Sequence, residues 1–106
     1  MGPQLTIVYL PGDPCSLAVC GEIDIYTAPH LEVGLHHAVL SASPGAAITA
    51  DLSAVSFIDA RGLTALVEAE AYAIVRGVAL VFAGVPASIT RLLTITGLRL
   101  RGIAPF

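Results

Sequence analysis

Apolar residues along this chain recur with two different periods. Four short apolar runs have the length and the β-branched content of strands. They lie at 5–10, 15–20, 46–52 and 78–83. Three longer segments repeat apolar residues every three to four positions, as on one face of a helix. They span about 28–42, 63–76 and 86–96. A final apolar stretch at 98–103 predicts an edge strand, so the predicted order is β-β-α-β-α-β-α-β.

Strands that alternate with helices predict parallel strand pairs joined by right-handed crossovers. The turn sequence PGDP at 11–14 predicts an antiparallel hairpin between the first two strands. We therefore expect an α/β fold with a mixed sheet, and 106 residues suit a single domain over 1–106. The run 46–52 is apolar enough to predict a strand buried on both faces. The second helix is expected to face the core through Leu63, Leu66, Val67, Ala71, Ile74 and Val75.

Two aspartates follow predicted strands at the same end of the sheet. Residues 53–62 predict a sharp turn from the third strand to the second helix, and Asp59 stands there as the predicted N-cap, where its carboxylate can accept hydrogen bonds from free backbone amides. Asp24 follows the second strand, and Thr27 is the predicted N-cap of the first helix, with Pro29 in its first turn. Three interpretations of the two acids stay open: helix capping with loop ordering, a partner-binding rim, and a general acid–base pair.

Composition raises the question of a membrane span, because mean hydropathy is +0.84 and only 12% of residues are charged. However, no run of 18 apolar residues exists, and Arg76 and Gly77 interrupt the best candidate. The N-terminus lacks the basic region of a signal peptide. We expect a cytoplasmic protein with no membrane insertion.

Several classes of chemistry lack their required residues. The net charge is -3, the five arginines are scattered and lysine is absent, which argues against nucleic acid binding and a phosphate-binding P-loop. No Gly-x-Gly-x-x-Gly or Gly-x-Ser-x-Gly motif occurs. Glu32 and His36 have a metal-ligand spacing without a third ligand, so a solvated polar face is favoured. Cys15 and Cys20 are expected to be free thiols. The sequence predicts no enzyme, no cofactor and no metal site.

Four segments, in order, resemble the STAS domains of bacterial anti-sigma factor antagonists. Residues 20–24 (CGEID) are similar to the family's Gly-Glu-Leu-Asp. Residues 51–63 (DLSAVSFIDARGL) are similar to its Asp-Leu-Ser-x-Val-x-Phe-Ile-Asp-Ser-Ser-Gly-Leu. Arg76-Gly77 before the next strand and LLTITGL at 92–98 complete the match. The resemblance covers about 5–98 and implies a STAS-type mixed sheet with helices packed on it.

This resemblance implies binding to a protein partner, a kinase-type anti-sigma factor, and thereby release of a sigma factor for transcription. In the family, the kinase inactivates the antagonist by phosphorylating the first serine after the aspartate, which adds about -1.5 to -2 charges. That position is Ala60 here, which has no hydroxyl, and the next is Arg61. A cation in the first turn of a helix is disfavoured by the dipole, so we expect Arg61 to pair with Asp59 or Asp24.

The resemblance places the partner-binding face on the Asp24 loop and the start of the second helix. Its predicted members are Glu22, Asp24, Ser56, Asp59, Ala60, Arg61 and Thr64. Three alternatives stay open: a STAS subunit of another assembly, such as a lipid-transport ATPase complex or a stress-signalling scaffold; an acid-pair hydrolase; and a non-binding paralogue. A homo-oligomer is compatible with all of them.

Overall fold

The computed structural model describes residues 5–10, 12 and 15–104. Its elements follow the predicted order through the third helix. They are β1 (Leu5–Leu10), β2 (Cys15–Ile23), α1 (Ala28–Ser41), β3 (Ala47–Ile58), α2 (Ala60–Val75), β4 (Ala79–Ala83) and α3 (Ala87–Thr96). The predicted PGDP turn falls mostly outside the described residues.

The strands form one mixed sheet in the order β1-β2-β3-β4. β1 and β2 are antiparallel, whereas β2 with β3 and β3 with β4 are parallel. The predicted antiparallel pair and the predicted parallel pairs are confirmed. The parallel arrangement brings the carboxyl ends of β2 and β3 to the same edge of the sheet, where α1 and α2 begin.

Among the described residues, helices cover one face of the sheet and leave the other face uncovered. Along β3, buried Ile48, Ala50 and Leu52 alternate with Thr49 and Asp51, which are half-buried and exposed. The prediction that 46–52 is buried on both faces is therefore wrong, because Thr49 and Asp51 introduce the alternation of a strand with one solvated face. We call the uncovered side the open face. Its members in the first three strands include Thr6, Val8, Leu10, Ser16, Ala18, Cys20, Thr49 and Asp51.

The third strand is longer than predicted, since it runs to Ile58 instead of ending at position 52. Its register against β2 shifts twice, between Ala18 and Cys20 and between Gly21 and Glu22. At each shift β3 contains one extra residue, as in a β-bulge, which turns neighbouring side chains in new directions. The segment 53–58, predicted as a turn, is therefore irregular strand.

The buried face of α2 also differs from the prediction. Ala71, Ile74 and Val75 are exposed, whereas Glu70 is only 6% exposed. Its carboxylate accepts the backbone N–H of Arg101 at 2.9 Å and that of Gly102 at 2.7 Å. The helix thus packs both on the sheet and on the C-terminal segment, and a buried acid is tolerated because backbone donors satisfy it.

The segment 98–103, predicted as a last strand, forms only one isolated bridge, between Phe82 and Ile103. The Phe82 N–H donates to the Gly102 carbonyl at 2.6 Å, and the Phe82 carbonyl accepts the Ala104 N–H at 2.9 Å. Glu70 accepts the Gly102 N–H, which a continued parallel ladder would donate to β4. Gly102 also lies so close to the Leu80 carbonyl that a Cβ would clash. The segment therefore covers the outer edge of β4 without becoming a strand.

Candidate functional site

The junction between β2 and α1 is ordered by Asp24. Its buried carboxylate accepts the backbone N–H of Tyr26 at 2.9 Å and that of Thr27 at 3.0 Å. The Thr27 hydroxyl accepts the Asp24 N–H at 2.9 Å and donates to the Glu22 carbonyl at 2.7 Å. Thr27 occupies the predicted N-cap position, but its side chain makes no cap bond to the helix. The Asp24 carboxylate instead binds the two amides that precede the helix. Asp24 is thereby engaged within its own loop.

The junction between β3 and α2 consists of a single residue, Asp59. Its side chain accepts the Gly62 N–H at 2.9 Å, and its carbonyl accepts the Leu63 N–H at 2.9 Å. The predicted N-cap is confirmed. Because the cap satisfies an amide of the first turn, the helix begins directly where the strand ends.

The two junctions pack against each other, as their predicted position at one edge of the sheet requires. The Asp59 N–H donates to the Ile23 carbonyl at 3.1 Å. Gly62 lies against the same residue: an added Cβ would lie 2.6 Å from the Ile23 carbonyl oxygen and 2.6 Å from its Cγ2. Only glycine allows this approach without displacement. Each aspartate carboxylate nevertheless bonds within its own junction, and among the described residues no hydrogen bond joins the two.

Arg61 pairs with a residue that the sequence did not indicate. Its Nη2 lies 3.1 Å from Oε1 and 3.2 Å from Oε2 of Glu32 on α1. The predicted partners, Asp59 and Asp24, are wrong, because the Asp59 carboxylate caps α2 and the Asp24 carboxylate binds amides of its own loop. Glu32 on α1 pairs with Arg61 instead. The pair is half-exposed and links α1 to α2 beside the junctions.

The exposed part of this edge combines polar and apolar side chains. Glu22, Ser56 and Ala60 are exposed, and Thr64 is half-buried with its hydroxyl donating to the Ala60 carbonyl at 3.0 Å. Three apolar neighbours that the sequence did not indicate, Ile25, Tyr26 and Phe57, are 61%, 79% and 49% exposed. We call the whole set the junction surface. Its members are Glu22, Ile25, Tyr26, Ser56, Phe57, Ala60 and Thr64.

Phe57 reaches the surface because of the second register shift in β3. It pairs with exposed Glu22 of β2, and its neighbour Ser56 is also exposed. In a regular strand, one of two successive side chains would point inward. The only sequence signal for Phe57 was its apolar character within a predicted turn. The direction of its side chain depends on the bulge, which the sequence did not reveal.

Asp51, the first residue of the motif at 51–63, lies apart from the junctions on the open face. Its Oδ1 accepts the Ser53 N–H at 2.9 Å. Hydrogen bonds from the backbone and the hydroxyl of Ser53 hold the pKa of the Asp51 carboxyl below its usual value. The residue therefore orders the first irregularity of β3 and takes no part in the junction surface.

The polar face of α1 shows no arrangement of metal ligands. His36 stacks on Tyr72 with ring centroids 3.9 Å apart, and Glu32 is paired with Arg61. Within 5–10, 12 and 15–104, no three His, Cys, Asp or Glu side chains cluster as a metal site would need. The same residues include no helix of the length and apolarity needed to cross a membrane.

Comparison with known proteins identifies the fold and the family. A sequence model for the family described as Mlab, STAS domain matches residues 8–100. Proteins named anti-sigma-B factor antagonist from Listeria monocytogenes and Listeria innocua are 37% identical over 86 residues, covering 81% of this chain and 74% of each relative. The chain belongs to the STAS domain family. The predicted membership is confirmed.

Solved structures agree with this assignment. An anti-sigma factor antagonist from Mycobacterium paratuberculosis superposes on the STAS domain with a TM-score of 0.74 and 28% identity, covering 89% of this chain and 79% of that one. A serine-to-glutamate variant of RsbS from Moorella thermoacetica gives a TM-score of 0.69 at 24% identity, covering 92% and 83%. At that lower identity, the second likeness supports the fold alone.

Proposed function

We propose that this STAS domain is an anti-sigma factor antagonist, which binds an anti-sigma factor through the junction surface and so frees a sigma factor for transcription. The observation that carries the proposal is the 37% identity to two proteins that bear this name. The exposed start of α2 supports the location. We infer that the partner is a kinase-type anti-sigma factor.

The junction surface has the composition of a protein-binding site. Tyr26 and Phe57 are aromatic and exposed, and Glu22 and Ser56 add polar groups around them. Aromatic side chains supply much of the binding energy in protein interfaces, with polar groups at the rim. The hydrogen bonds of the Asp24 and Asp59 carboxylates hold both junctions in place, so less conformational entropy is lost on binding.

We further propose that the complex is insensitive to phosphorylation at the usual position. Ala60 occupies that position and has no oxygen to accept a phosphoryl group. Of the nearby hydroxyls, Thr64 donates to the Ala60 carbonyl within the helix, and Ser56 lies on β3 before the cap. A phosphate of about -1.5 to -2 charges would otherwise disrupt the interface by desolvation and repulsion.

Calorimetric titration with a kinase-type anti-sigma factor from the same host tests the binding site. We expect Tyr26→Ala and Phe57→Ala each to raise the Kd about tenfold or more, because both truncate aromatic contacts. Ile95→Ala is the matched control, since Ile95 is 71% exposed on α3 and lies outside the junction surface. Absence of binding by the unaltered chain would overturn the proposal. Copurification of an ATPase or a permease would instead support a STAS subunit of another assembly.

A second experiment tests the missing switch. With ATP present, the unaltered chain should stay bound and gain no phosphate, whereas Ala60→Ser should gain one phosphate and dissociate. Mass spectrometry and native gel electrophoresis would follow both events. Phosphorylation of the unaltered chain at Ser56 or Thr64, accompanied by dissociation, would mean that the switch has moved and would contradict the proposal.

A further inference from the structure

The two edges of the sheet are treated differently. The outer edge of β4 is covered by the C-terminal segment, through the bridge between Phe82 and Ile103. Among the described residues, no segment pairs with the outer edge of β1 (Leu5–Leu10). An uncovered edge presents unpaired N–H and C=O groups, which form a template for another strand.

The first strand also lacks the features by which proteins block such an edge. Its sequence, LTIVYL, contains no charged residue and no proline. Its register with β2 is continuous from Leu5↔Gly21 to Leu10↔Ser16, so no bulge turns the edge away. Val8, Tyr9 and Leu10 are 44%, 46% and 52% exposed. Lysine, proline and bulges are the usual protection against edge-to-edge pairing, and β1 has none of them.

We propose that β1 pairs antiparallel with β1 of a second copy of this chain, about a two-fold axis at Val8. A second copy fits because an antiparallel strand can pair with itself under two-fold symmetry. Both strands are uncharged, so their approach brings no like charges together. The continuous register along the whole strand leaves the edge regular enough for a new ladder.

The alternation of faces fixes which self-pairings are possible. Leu5, Ile7 and Tyr9 lie on the helix-covered face, where the Tyr9 hydroxyl donates to the Gly34 carbonyl at 3.3 Å. Thr6, Val8 and Leu10 lie on the open face. Directly opposed residues in a sheet must share a face, so the axis must pass at a residue and not between two.

Of the possible axis positions, Val8 opposes the largest number of exposed residues of β1. It places Val8 opposite its own copy, Leu10 opposite Thr6 of the second copy, and Ile7 opposite Tyr9. These five opposed residues, 6–10, lie in β1 and are uncharged, and half-buried Leu5 is left opposite position 11, beyond the end of the strand. An axis at Ile7 would instead pair 5–9 and leave Leu10, which is 52% exposed, opposite position 4, beyond the start of the strand. The Val8 axis is favoured because it pairs the more exposed end of β1.

The pairing would join two four-stranded sheets into one continuous sheet with all helices on the same side. Because the two copies run antiparallel, the carboxyl ends of their β2 and β3 strands point in opposite directions. Both junction surfaces would therefore stay free, so the dimer is compatible with the proposed function and does not depend on it.

Cysteine cross-linking in the full chain tests the register. In a Cys15→Ser, Cys20→Ser background, Val8→Cys should form an intermolecular disulfide under mild oxidation, because directly opposed Cα atoms are about 4.5–5.5 Å apart. Ile7→Cys is the matched control, since its own copy is a diagonal neighbour about 7–8 Å away. Circular dichroism would check that every variant is folded. Preferential cross-linking of Ile7→Cys, or equal cross-linking of both, would overturn the proposal.

Analytical ultracentrifugation tests the interface without cysteines. The unaltered chain should sediment as a dimer at high micromolar concentration, and Val8→Lys should raise the dimer Kd at least about tenfold by placing two like charges at the axis. Val33→Lys is the control, because Val33 is 70% exposed on α1. A monomer at all concentrations, or a dimer lost only in Val33→Lys, would overturn the proposal.

Discussion

The two strand-to-helix junctions each connect the end of a strand to the start of a helix, but they use different numbers of residues and hydrogen bonds. Between β2 and α1, the chain makes a turn in which Asp24 and Thr27 bond to each other and to the backbone. Between β3 and α2, Asp59 alone links the elements with one side-chain cap bond. The polar groups of the first junction form hydrogen bonds within the junction itself, whereas the second junction leaves the start of α2 accessible. The proposed partner-binding surface combines this helix start with the loop of the first junction.

Of the substitutions at the two junctions, one at Asp24 is expected to lower the free energy of unfolding most. Asp24→Ala would leave the N–H groups of Tyr26 and Thr27 without their acceptor, and each buried, unsatisfied group costs about 1–3 kcal/mol. We expect the free energy of unfolding to fall by about 2–4 kcal/mol in urea titrations. Asp24→Asn keeps a carbonyl acceptor of the same shape and should lose less. If Asp24→Ala lowered the free energy of unfolding by less than about 0.5 kcal/mol, Asp24 would contribute no more to stability than an ordinary surface residue.

The contact between the junctions gives the next largest effect. Gly62→Ala would place a Cβ 2.6 Å from the backbone oxygen of Ile23, and we expect a loss of about 1–3 kcal/mol from overpacking. Gly34→Ala is the control, because its Cβ would meet the flexible end of Ile7 at the same 2.6 Å. That side chain can move, and alanine favours the helix by about 1 kcal/mol. Equal losses on thermal or urea unfolding would show that backbone contact between the junctions is unimportant.

The order of elements was predictable because its signals are local. Apolar runs, turn residues and the aspartate before α2 each act within a few positions, and the structure has the predicted antiparallel pair, parallel pairs and cap. The end of β3 was not predictable in this way. Two register shifts make its buried residues Leu52, Val55 and Ile58 recur every third position, whereas a regular strand has a period of two. Because residues 53–58 do not alternate as a regular strand does, they were predicted as a turn.

Long-range polar contacts were the other features that the sequence did not reveal. Glu70 binds amides that lie about thirty residues later, and Arg61 binds Glu32 of the preceding helix. Nothing in the local pattern of α2 distinguishes Glu70 from the exposed Glu68. A carboxylate and its distant donors become neighbours only after the helices pack, so such pairings depend on the tertiary fold.

A smaller effect is expected at the second junction. Asp59→Ala removes one cap bond at a half-buried site, and loss of an N-cap typically costs about 0.5–2 kcal/mol. Urea unfolding should therefore show a smaller loss than in Asp24→Ala. Asp59→Asn, which retains capping ability, should lie close to the unaltered chain. If Asp59→Ala lowered the free energy of unfolding more than Asp24→Ala, the second junction would contribute more to stability than the first, contrary to this prediction.

The smallest effect is expected at the ion pair that links the helices following the two junctions. The Arg61 and Glu32 side chains are 38% and 34% exposed, so water and salt weaken their attraction. A double-mutant cycle with Arg61→Ala and Glu32→Ala should give a coupling energy of about 0.2–1 kcal/mol at low ionic strength. Raising the salt concentration should reduce it, because counterions screen exposed charges. A coupling that exceeded this range and resisted salt would mean that the pair itself, more than the Gly62 contact, fixes the second junction against the first.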